Sequence, residues 1–90
     1  MTQEEQMVNQ GTAAETVLSS TAFNQVVNNL VEQSFQAYVT SDPDDDKGRT
    51  AVYYQYRALR EIIDTLKQCV AVRDEITNRN ESETRSKEEE

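Results

Sequence analysis

Residues 39–50, VTSDPDDDKGRT, hold four aspartates, the only proline and one of the two glycines in the chain. As a metal loop this stretch would give the protein a chemistry, and as a turn it sets the fold. Counted from Asp42, the acids at 42, 44 and 46 fall at positions one, three and five of a calcium loop. Lys47 then stands where that loop needs glycine, and position twelve is Tyr53, which cannot chelate as a bidentate glutamate does. Pro43 also restricts φ inside the cage. The turn reading accounts for each residue separately. Pro43 disfavours helical φ/ψ at Asp42 and ends the preceding helix. Gly48 permits an αL bend, and the acids before Thr50 suit the positive end of the next helix dipole. The stretch reads as a turn over residues 40–49 joining two antiparallel helices.

Working back from the turn, residues spaced about 100° apart place Phe23, Val26, Val27, Leu30, Ala37 and Tyr38 on one side of a helix ending near Val39. Val31 and Phe35 widen that side to roughly half the circumference, interrupted by the small polar Ser34. Ser19, Ser20 and Thr21 break the chain before it and supply a cap for a helix beginning near Ala22. Ahead of them, Thr12 and Glu15 fit a capping box that opens a short helix through Ala14, Val17 and Leu18. Residues 1–11 are polar and aperiodic and read as a flexible arm.

Forward from the turn, the helical period resumes at Thr50 through Val52, Tyr56, Leu59, Ile62, Ile63, Leu66, Cys69, Val70 and Ile76. This second long helix is expected to end near Asn78. Arg57–Glu61, Arg60–Asp64 and Glu75–Arg79 stand at i,i+4, each such pair contributing only about 0.2–0.5 kcal/mol. Residues 79–90 contain no apolar side chain and read as a disordered acidic tail. The expected architecture is therefore all-α. An antiparallel helical hairpin of two long helices follows a short N-terminal helix, and residues 12–78 form the domain between arm and tail.

The totals exclude several function classes. The net charge of −8 is uneven: residues 1–46 carry eight acids and no Lys or Arg, while residues 47–90 carry nine acids and all nine bases. That distribution disfavours direct nucleic-acid binding, which relies on clustered Lys and Arg. With no histidine and one cysteine, Cys69, the chain lacks a zinc-ligand set and an internal disulfide. Cys69 falls on the flank of the apolar stripe, where a small buried thiol is the ordinary expectation. The N-terminus lacks the features of a signal peptide, and no apolar run approaches the ~20 residues of a membrane span. These features lead us to expect a soluble protein of a reducing compartment, with no membrane contact, no cofactor, no metal and no catalytic site.

What remains is an interaction surface. Tyr53 and Tyr54 fall outside the main stripe, beside Arg57 and Arg60, and exposed Tyr and Arg are enriched at interfaces. The alternative is that one tyrosine folds back over the turn or the short first helix and is half-buried. The apolar margin of the first long helix, Val31, Phe35 and Val39, exceeds what one antiparallel neighbour covers. A lone hairpin of this size buries little, which points to self-association or a larger partner. The seven residues Val31, Phe35, Val39, Tyr53, Tyr54, Arg57 and Arg60 are the candidate partner-binding set.

The order of VLSSTAF, then the turn TSDPDDDKGR, then RTAVYYQYRALREIIDTLKQCV, spans about residues 14–76. It resembles small helical-hairpin proteins encoded in the structural and DNA-packaging gene clusters of tailed bacteriophages. The resemblance implies a non-enzymatic virion component or packaging accessory. Such a protein docks on a larger phage protein, such as a portal, capsid or terminase, in the host cytoplasm or in the virion. The alternative drawn from charge is an acidic regulator that sequesters a basic or nucleic-acid-binding protein through its base-free first half.

Overall fold

The computed structural model describes the backbone of residues 1–89 and the side chains of residues 1–86. The end of the expected tail, Glu90, lies outside the described residues. Among the described residues the three regular elements are all helices: α1 (Gln3–Leu18), α2 (Thr21–Val39) and α3 (Asp46–Glu89). The all-α expectation is borne out. No helix is long and apolar enough to cross a membrane among the described residues.

The chain forms two compact units, and the division falls inside α3. One comprises Met1–Leu18 with Thr65–Glu90, the other Ser19–Asp64. They are called here the α1 unit and the α2 unit.

In the α1 unit the expected arm is corrected. Residues from Gln3 onward are helical, because a different capping signal is used. The sequence offers two T-x-x-E boxes, and the working one is Thr2–Glu5. Thr2 Oγ1 accepts the Glu5 N–H at 3.1 Å. Thr12 instead lies in mid-helix, where its hydroxyl donates to the Val8 carbonyl at 3.1 Å. What holds this polar helix is close contact with α3. Gly11 and Ala14 are its buried residues, and among the described side chains of α3 the buried hydrophobic one is Ile76. A Cβ built on Gly11 would stand 2.4 Å from Arg73 Cβ and 2.7 Å from the Cys69 carbonyl oxygen. Only glycine allows that approach. Ion pairs Arg73–Glu15 and Arg79–Glu4 add to it. The hydrogen bonds of Arg73 to Asp74 and then to Glu15 hold its pKa above the ordinary arginine value. Arg79 therefore pairs across to α1, where the spacing pointed to Glu75.

The expected disordered tail is not confirmed, since α3 runs on through residues 79–89. Extending a formed helix needs no new nucleation, and Glu, Lys and Arg are good helix formers. Thr84 Oγ1 donates to the Asn80 carbonyl within this segment at 2.9 Å.

The α2 unit follows the sequence more closely. Ser20 is extended, and its hydroxyl accepts the Phe23 N–H, capping α2 where the SST stretch placed a cap. The turn is shorter than expected, because Asp46 rather than Thr50 opens α3. Asp42 Oδ1 accepts the Asp44 N–H at 2.9 Å, and Asp45 Oδ1 accepts the Gly48 N–H at 3.0 Å as the N-cap of α3. Gly48 has no positive φ, which corrects the αL expectation. Its missing side chain instead leaves room for the Asp45 carboxylate, which a Cβ would meet at 2.2 Å. Arg49 fastens the turn, donating from Nε to Ser41 Oγ at 3.0 Å while its guanidinium lies 5.0 Å from the Tyr38 ring centre.

Candidate protein-docking site

The side of α2 that faces inward is not quite the stripe read from spacing. Phe23, Val27, Leu30 and Val31 are half-buried, but the residue that follows them into the interior is Ser34, only 4% exposed. Phe35, Tyr38 and Val39 are exposed, as are Tyr53, Tyr54 and Tyr56 on α3. The α2 unit thus turns several large apolar and aromatic side chains outward.

Part of this surface forms a groove of about 480 Å³. One wall is Val31, Phe35 and Tyr38 of α2, at i, i+4 and i+7. The other is Val52, Tyr53 and Tyr56 of α3, and Ser34 and Glu32 complete the lining. Ser34 Oγ is buried without a hydrogen-bond partner. The Glu32 carboxylate accepts the Gln36 amide at 3.1 Å and is otherwise exposed.

Of the seven residues expected to meet a partner, Val31, Phe35 and Tyr53 come together in this groove. Val39 lies outside the lining, exposed near the end of α2. Tyr54 lines a separate shallow depression with Asp46, Lys47, Thr50 and Ala51. It contacts Tyr53 edge to face, with ring centres 5.8 Å apart. Arg57 and Arg60 pair along their own helix with Glu61 at 3.5 Å and Asp64 at 3.7 Å. The Tyr53 hydroxyl, then Glu61, keep the Arg57 pKa above its ordinary value. The two arginines are thus occupied within the chain, although exposed pairs of this kind are weak.

The sequence reading missed Glu32, Ser34, Tyr38, Val52 and Tyr56 as groove residues. Tyr38, Val52 and Tyr56 carried a usable signal, being aromatic or β-branched at helical spacing on either side of the turn. Ser34 carried a weaker one, a lone polar residue inside an apolar stripe. The chain matches no protein-family model, and comparison with curated proteins and with solved structures returns no significant match.

Proposed function

We propose that the protein is a non-enzymatic interaction protein, an antiparallel helical hairpin that docks on a larger protein through the exposed face of the α2 unit. The observation that carries this reading is the groove walled by Phe35, Tyr38, Tyr53 and Tyr56, because clustered exposed aromatics mark contact surfaces. The resemblance of residues 14–76 to small phage proteins adds the setting. In that setting the partner is a portal, capsid or terminase protein, and the chain serves as a virion component or packaging accessory. Against the acidic-decoy alternative, five of the eight acids in residues 1–46 already have partners within the chain. Glu4 and Glu15 pair with arginines of α3, Glu32 accepts the Gln36 amide, and Asp42 and Asp45 accept backbone N–H groups.

The test is to purify the full chain with portal, capsid and terminase proteins encoded beside it and to measure mass by light scattering. A defined complex with one of them supports the phage role. A gene neighbourhood without such proteins, or a chain that stays alone with all of them, overturns it.

A further inference from the structure

We propose that the groove of the α2 unit receives a basic amphipathic helix from a partner protein. A tryptophan or tyrosine of that helix donates its polar hydrogen to Ser34 Oγ, and a Lys or Arg pairs with Glu32. This rests on the interaction reading above and names the chemistry of the occupant.

Three features select it. The first is length. Val31, Phe35 and Tyr38 span about two helical turns, roughly 10 Å, facing Val52, Tyr53 and Tyr56 on the opposite wall. An open apolar trough with anchors at i, i+4 and i+7 fits a third helix with the same repeat. The second is the hydroxyl. Ser34 is 4% exposed and its Oγ has no hydrogen-bond partner within the chain, which leaves a buried acceptor of the groove lining unsatisfied. An occupant reaches it by displacing the wall side chains Phe35 and Tyr53, which are 59% and 53% exposed. An indole N–H or a phenol O–H brings both an aromatic body for the walls and a donor for this oxygen. The third is charge. Glu32 is the charged residue of the lining, and Arg57 and Arg60 are engaged with Glu61 and Asp64. A second copy of this chain is a poor occupant, because each copy carries −8 and two copies repel. The complement is a basic helix from another protein.

The test titrates the full chain into a synthetic amphipathic helix of about four turns, carrying one tryptophan among leucines and lysines on its polar face. The chain contains no tryptophan, so indole emission reports the peptide alone. We expect a saturable blue shift. Ser34→Ala should weaken binding about tenfold and leave the helical circular dichroism intact, since it removes an unpartnered hydroxyl from a helix. Glu32→Gln should weaken binding and flatten its salt dependence. A peptide with phenylalanine for tryptophan, followed by calorimetry, should bind more weakly and ignore Ser34→Ala.

No saturable shift, or equal affinity for Ser34→Ala, overturns the proposal. So does equal binding of a peptide with glutamates for lysines, or of free indole as tight as the peptide. A wild-type dimer by light scattering that the peptide fails to disperse shows a second copy in the groove and also overturns it. A phage partner that binds wild type and Ser34→Ala alike but rejects Phe35→Glu removes this inference and leaves the interaction reading standing.

Discussion

At Gly11 a single methyl group decides how closely α1 can lie on α3. Gly11→Ala would gain up to about 1 kcal/mol of helix propensity. It would also drive a Cβ into Arg73 Cβ and the Cys69 carbonyl, neither of which is the loose end of a side chain. Overpacking costs about 1–3 kcal/mol, so we expect net destabilisation in chemical denaturation. An unchanged or higher midpoint would show that the two helices can part without loss. In the turn the same logic separates the aspartates. Asp45→Ala removes the α3 cap and should cost about 1 kcal/mol. Asp44→Ala should cost little, because Asp44 contributes backbone groups, its N–H to Asp42 Oδ1 and its carbonyl to Asp46. Equal losses at both positions would contradict the capping geometry. Such details were half legible. Ser20 as a cap could be read from SST ahead of an apolar repeat. The choice between Thr2 and Thr12 could not, because both head a T-x-x-E box and tertiary contact decides between them.

Among the elements, α2 was the most legible and α1 the least, for a physical reason. α2 carries its own apolar repeat, a cap before it and Pro43 beyond it. α1 has almost no apolar repeat, and its order depends on Gly11 and Ala14 reaching α3 and on arginines supplied by residues 73 and 79. Spacing within one helix cannot reveal a partner some sixty or seventy residues away. The far end of α3 misled in a related way, since a segment without apolar residues can still extend a helix nucleated elsewhere. This gives a prediction for residues 81–90. Deleting them should change stability by less than about 0.5 kcal/mol, because the described side chains there are exposed. The ellipticity at 222 nm should nevertheless fall, because helix is removed. Unchanged total helical signal would indicate the disordered tail that composition alone suggested. A large loss of stability would reveal docking of that segment.

For the molecule as a whole, the decisive quantity is how little it buries. Ala14 and Ile76 are the buried hydrophobic residues among those described, and no large side chain there is fully enclosed. Small domains are marginal when the core is this thin, and a partner that binds only the folded state stabilises it by mass action. Phe35 is where the two demands, folding and association, can be separated. If Phe35 belonged to the core, Phe35→Glu would bury a carboxylate at a cost of several kcal/mol and unfold the chain. It is instead 59% exposed on the groove wall, so a glutamate there can keep its water. We therefore expect Phe35→Glu to retain the wild-type helical signal in circular dichroism while losing complex formation in light scattering. Loss of helix would place Phe35 in the core and remove the docking surface. Undiminished association would do the same, because a groove that tolerates a charge on its most exposed aromatic wall residue is not where the partner sits.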